Sequence, residues 1–123
     1  MTLRNAIKSG HVKRGYKATL GFASTNAPYS GFIYYKSKQW VVPKPNCGPC
    51  AVFTEYKDIL NIVRHYSKRG IQLWECYFIE SKEEFLWTAD GHNTSALGCY
   101  FGTVLADAVM ITKPIKLWYQ LLQ

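Results

Sequence analysis

The stretch Cys47-Gly48-Pro49-Cys50-Ala51-Val52-Phe53-Thr54-Glu55-Tyr56-Lys57-Asp58-Ile59-Leu60-Asn61-Ile62-Val63-Arg64-His65-Tyr66-Ser67-Lys68-Arg69-Gly70 carries the strongest local signal in the chain. From Thr54 onward, Tyr56, Ile59, Leu60, Val63 and Tyr66 recur at the three-and-four spacing that gathers apolar side chains on one side of a helix. Glu55, Asp58, Asn61, Arg64, His65 and Lys68 fall mainly on the other side. Thr54 is an N-cap candidate, Glu55 and Asp58 sit near the positive end of the helix dipole, and Arg64, His65, Lys68 and Arg69 crowd the negative end. Gly70 can take the left-handed conformation that stops a helix, so the spacing predicts one helix over about 55–69.

Outward from that helix the chain reads as strands. Residues 71–79 are almost continuously apolar apart from Gln72 and Glu75, the pattern of a central strand covered on both faces. Residues 16–24 alternate, with Tyr16, Ala18, Leu20 and Phe22 set against Lys17, Thr19 and Gly21. Residues 29–35 and 39–42 resemble a hairpin around Lys36-Ser37-Lys38. Residues 85–88 form a short strand, 89–95 a polar loop, and 97–101, 103–112 and 115–122 resume the apolar pattern, with a turn at Ala106-Asp107-Ala108 as an alternative. Short strands with one helix packed across them predict an α+β domain with a mostly antiparallel sheet. A chain of 123 residues, 48% hydrophobic, forms one domain, and residues 1–15 read as a short helix or a mobile basic arm.

Charge is divided unevenly. Residues 1–54 hold eight cations (Arg4, Lys8, Lys13, Arg14, Lys17, Lys36, Lys38 and Lys44) and no carboxylate, whereas residues 55–123 hold seven cations and eight carboxylates, for a net charge of +7. A single-signed half attracts polyanions, phosphorylated ligands or an acidic protein surface. Aromatic residues interleave with these cations: Tyr16 with Arg14 and Lys17, Tyr34 and Tyr35 with Lys36, Trp40 between Lys38 and Lys44. Stacking on such rings with phosphate held by neighbouring cations is the chemistry of base recognition.

No apolar run approaches the length that spans a bilayer, and the N-terminus lacks the apolar centre of a secretory signal, so the expectation is a soluble, cytoplasmic protein without membrane contact. In that compartment the four cysteines stay mostly as free thiols. Exposed aromatics at strand edges leave a homo-oligomer open.

Cys47-Gly48-Pro49-Cys50 resembles the redox motif of the thioredoxin family, in which the first thiol is activated at a helix N-terminus. The resemblance stops at four residues: Pro45-Asn46 precedes the motif, no proline lies between Pro49 and Pro114, and the predicted helix starts several residues later. A tight turn with two ordinary cysteines is the favoured reading. Zinc on Cys47 and Cys50 with His92 or Cys99 is likewise disfavoured, because only one close-set cysteine pair exists. The loop Asp90-Gly91-His92-Asn93-Thr94-Ser95 offers polar groups but reads as turn chemistry, and no P-loop or dinucleotide fingerprint occurs. The chain leans away from an enzyme, and no cofactor or metal is expected.

Leu73-Trp74-Glu75-Cys76, the segment Gly102-Thr103-Val104-Leu105-Ala106-Asp107-Ala108-Val109, and Val52-Phe53 entering a helix resemble a pattern found in a group of small phage proteins, across residues 32–113. The resemblance implies a viral accessory role, and by analogy the sequestration of a nucleotide immune signal of the host. The expected function is binding of a phosphorylated, nucleotide-type ligand, with Lys13, Arg14, Lys17 and Lys44 on phosphate and Tyr35 or Trp40 stacked on the base. Nucleic-acid binding through the same surface, inhibition of an acidic host protein, and thiol or zinc chemistry at Cys47 and Cys50 are the alternatives.

Overall fold

The computed structural model describes residues 3–8, 11–20, 23–24, 35–44, 47–66, 71–88, 91, 93–95 and 101–115. The elements, in chain order, are α1 (Leu3–Lys8), β1 (Val12–Leu20), β2 (Ala23–Ser24), β3 (Cys47–Gly48), β4 (Cys50–Phe53), α2 (Tyr56–Tyr66), β5 (Ile71–Glu80), β6 (Phe85–Thr88), β7 (Asn93–Ser95) and β8 (Thr103–Pro114). The class is therefore mostly β, which corrects the α+β expectation. Among the described residues, eight strands in two antiparallel sheets set the architecture, and helix is confined to two short elements. Strand pairing rather than the helical periodicity organises the chain: closure of the main sheet buries its inner face, and α2 covers only one end of the outer face.

The larger sheet runs β2-β1-β4-β8-β5 and closes through a further pairing of β1 with β5. Antiparallel β1 and β5 share nine register pairs, from Val12↔Ile79 to Leu20↔Ile71. β5 pairs on its other edge with β8, β8 with β4, and β4 with β1 through Tyr16↔Phe53. Strands β1, β4, β8 and β5 thus form a closed ring, an arrangement that leaves few free edges. β5 lies between β1 and β8, where its apolar run belongs. Gly15 permits the closure: a Cβ there would stand 2.6 Å from the Phe53 carbonyl oxygen and 2.9 Å from the Phe78 ring.

Inside the ring, Cys50, Val52, Trp74, Cys76, Phe78, Ala106, Val109 and Ile111 form one buried cluster, which Tyr35 completes. Outside it, α2 covers one end of the β1–β5 ribbon, where Ala18, Phe53, Ile59, Ile71 and Leu73 pack together, flanked by Tyr16, Tyr56 and Ile115. Gly102, at φ 85°, turns the chain into β8 directly against the buried Asp58 carboxylate of α2, a conformation and a clearance that only glycine meets easily.

Several local expectations change. The basic run from His11 to Lys17 is not an arm, because β1 already begins at Val12 and α1 precedes it. Lys36-Ser37-Lys38 does turn, with the Gln39 amide donating to the Lys36 carbonyl, but Val41 then bridges to Val109 of β8. β8 continues through Ala106-Asp107-Ala108 without a turn. Cys47-Gly48 and Cys50 lie in different sheets, so the Cys-Gly-Pro-Cys segment is an extended crossing from the β3-β6-β7 sheet to the ring. Of the hairpin strand expected at 29–35 only Tyr35 is described, and it is not in a strand; residues 29–34, His92, Cys99 and residues 67–70 and 116–122 lie outside the described residues. No helix among the described residues is long and apolar enough to cross a membrane.

Candidate functional site

Beyond the end of α2 the outer face of the ring is open. In an antiparallel sheet, directly paired residues point to the same side. The pairings Tyr16↔Glu75↔Lys113 and Arg14↔Tyr77 therefore place these five side chains on one outward surface of β1, β5 and β8. They line a cleft of about 510 Å³, with Thr54, Thr112 and the strand segments at Gly15 and Cys76 completing it. The Arg14 guanidinium stands over the Tyr77 ring, 5.8 Å from its centre, and Tyr16 meets Tyr56 of α2 with ring centres 5.5 Å apart. Helix α2 thereby fixes one wall of the cleft.

A β-bulge shapes the opposite wall. Glu75 pairs with Lys113 and Cys76 with Ile111, which leaves Thr112 unopposed, and its hydroxyl donates to the Glu75 carbonyl at 3.1 Å. Bulges bend a strand and re-aim its side chains, and they recur beside functional sites. The basic turn at residues 36–38 is tied to the same stretch of β8: the Ser37 hydroxyl donates to the Thr112 carbonyl at 3.1 Å and the Lys38 amide to the Ile111 carbonyl at 2.8 Å. Arg14, Lys113, Lys36 and Lys38 are all exposed around this region.

Of the six ligand-binding residues expected from sequence, Arg14 lines the cleft. Lys13, one residue earlier, is exposed and forms an ion pair with Glu80 at 2.5 Å. Lys44 is exposed and Trp40 half-buried, and neither lines the cleft. Lys17 and Tyr35 are corrected: both are 1% exposed, inside the ring, and out of reach of a surface phosphate or base. The reason is register, since Lys17 is paired with Trp74 and shares its inward side. The cleft residues that sequence reasoning passed over are Glu75, Tyr77, Thr112 and Lys113. Glu75 did carry a signal, as the lone carboxylate inside an apolar strand.

The interior holds a second polar group of residues. The Lys17 amine donates to the Ala51 carbonyl at 2.7 Å and stands 5.3 Å from the centre of the Tyr35 ring. Burial lowers its pKa, a shift partly offset by the neighbouring Cys50 and Cys76 thiols. Burial raises the Cys50 thiol against the opposing pull of Lys17 and Tyr35, and raises Cys76 to about 12. Burial and then Cys50 hold the Tyr35 phenol well above its ordinary value. The buried Tyr35 hydroxyl neighbours the Cys50 thiol and finds no other partner among the described residues. Thiols kept protonated by burial are the opposite of an activated redox cysteine, which needs a lowered pKa and access. Cys50 also precedes the start of α2 by six residues, too far for the helix dipole to act on it. Among the described residues no group of three or more His, Cys, Asp or Glu is placed to hold a metal ion.

Compared with protein families, with curated proteins and with solved structures, the chain finds no match.

Proposed function

We propose that this protein binds a small phosphorylated ligand of the nucleotide class in the cleft between β1, β5 and β8. The observation that carries the reading is the convergence of two cations, Arg14 and Lys113, with two tyrosines, Tyr16 and Tyr77, around a cleft of about 510 Å³. That volume falls within the range of small-molecule sites, roughly 300–1,000 Å³. Cations neutralise phosphate, and an aromatic face accepts a base. The role is one of binding. By analogy with the small phage proteins it resembles, the natural ligand in this reading is a nucleotide signal of the host.

Nucleic-acid binding is the second reading, favoured by Lys36, Lys38 and Lys44, which are exposed beyond the cleft and extend the positive surface. Titration calorimetry with mononucleotides and with single-stranded oligonucleotides separates the two. A cleft ligand binds one to one, and Arg14→Ala or Lys113→Ala weakens it by about tenfold or more, the loss expected for one charged hydrogen bond. Affinity that grows with oligonucleotide length and falls steeply with salt moves the function to nucleic acid. Indifference to both classes of ligand removes the proposal and leaves an acidic host protein as the partner to seek.

A further inference from the structure

Glu75 does not suit a cleft that takes phosphate alone. It stands on the central strand of the three that build the cleft, between Tyr16 on β1 and Lys113 on β8, and it is exposed. Its backbone is pinned by the Thr112 hydroxyl at the bulge. Among the described residues, no ion pair joins Glu75 to Arg14 or Lys113; the ion pair of this ribbon is Lys13 with Glu80, at its far end. Among the described residues, the cleft therefore offers two cations outside any ion pair, Lys113 and Arg14, the latter over the Tyr77 ring, and one carboxylate outside any ion pair, within the span of a small ligand. A pure polyanion would be repelled by the carboxylate. The complementary ligand is anionic at one end and presents hydrogen-bond donors at the other.

Among nucleobases, guanine answers that description best. Its Watson–Crick edge carries two adjacent donors, N1–H and the N2 amine, which a carboxylate accepts as a bidentate pair. Adenine and cytosine each set a ring-nitrogen acceptor beside their amine, and uracil flanks its single N–H with two carbonyl oxygens, so each turns at least one acceptor toward the carboxylate. We infer, on the basis of the nucleotide reading above, that Glu75 makes the cleft selective for a guanine nucleotide: its carboxylate takes the base edge while Arg14 and Lys113 take phosphate.

The test is a titration series of GMP, IMP and AMP against the wild-type protein and the Glu75→Gln variant, with melting curves to verify that both are folded. The expected wild-type order is GMP, then IMP, which keeps N1–H but lacks the amine, then AMP, with at least about tenfold between GMP and AMP, because a site built for donors leaves its own acceptors unpaired with an analogue lacking them. Glutamine turns a donor toward the base edge and removes the charge, so the preference should collapse to about twofold while AMP binding does not weaken. Wild-type protein that binds all three nucleotides equally overturns the guanine assignment and leaves the nucleotide reading standing. Persistence of the GMP preference in Glu75→Gln overturns the role of Glu75. Absence of binding by any of the three removes both.

Discussion

The side-chain nitrogen of Lys17 donates to the carbonyl oxygen of Ala51 at 2.7 Å, inside a closed ring of four strands. The ladder between β1 and β4 consists of a single register pair, Tyr16↔Phe53, and Lys17 ties the same two strands together just beyond it. An amine is an expensive tie. Burial disfavours its charged form, and one hydrogen bond with a nearby tyrosine face repays only part of that cost.

Replacing Lys17 with methionine keeps most of the volume and removes the buried charge. Thermal and denaturant unfolding at neutral pH should show the variant more stable than wild type by about 1 kcal/mol, as when buried ionic groups are exchanged for apolar ones of similar size. Lys17→Ala should instead be destabilised by about 2–4 kcal/mol, because it leaves a void in the ring. A methionine variant as unstable as the alanine variant would mean that the bond to Ala51 outweighs the desolvation of the amine.

The buried groups also fix the alkaline stability profile. Lys17 has a folded pKa below its ordinary 10.5, so between those two values the unfolded state binds more protons and stability rises with pH. Cys76 acts in the reverse sense: its thiol rises from 9.0 to about 12, so above pH 9 the unfolded chain ionises first and stability falls. At pH 10 this group alone costs about 1.4 kcal/mol. Cys50 and Tyr35, both raised, add to the fall. Unfolding curves measured across pH 7–10.5 for wild type and Cys76→Ala should diverge above pH 9, with the shallower decline in the variant. Parallel curves would place Cys76 in contact with solvent.

Gly15→Ala tests the ring itself. The added methyl meets the Phe53 carbonyl oxygen and the Phe78 ring, one of them backbone, so strands must separate to admit it. A loss of about 3 kcal/mol or more in unfolding free energy is expected, the scale of overpacking in a closed core. A near-neutral effect would show that β1 and β4 are not held together at this point.

Thiol accessibility checks the reading of the Cys-Gly-Pro-Cys segment. Cys47 is half-buried, whereas Cys50 and Cys76 are buried with raised thiols. Alkylation of the native protein at pH 7.5, mapped by peptide mass spectrometry, should modify Cys47 well ahead of Cys50 and Cys76, which react at the rate of unfolding. Rapid labelling of Cys50 or Cys76 would contradict the buried ring interior.

Local pattern revealed part of this architecture. The apolar run at residues 71–79 marks β5 as a central strand, and it does lie between β1 and β8, but only its inner side is fully covered: Glu75 is exposed on the outer face and Tyr77 half-buried. The alternation at residues 16–20 misleads because here α2 covers the outer side of β1 at Ala18 while the other side faces the ring interior. A lysine on the polar-looking face is then carried inside, and alternation alone holds no term for sheet closure. Arg14 was visible as a candidate because it belongs to the single-signed half of the chain. Tyr77 and Lys113 were not, and Glu75 stood out only as a carboxylate inside an apolar run, because these residues meet Arg14 only through the β1–β5–β8 pairings, between residues as much as 99 positions apart (14 to 113). Such non-local register leaves no trace in periodicity or in the charge of one segment.

The central claim, a nucleotide in the β1–β5–β8 cleft, is tested most directly by mapping backbone amide shifts in the 15N-labelled protein during titration with GMP. The account predicts saturable one-to-one shifts concentrated at Arg14, Gly15, Tyr16, Glu75, Cys76, Tyr77, Thr112 and Lys113, lost in the Arg14→Ala, Lys113→Ala double variant. Shifts that map instead to Trp40 and Lys44, or a spectrum that GMP leaves unchanged, would contradict it.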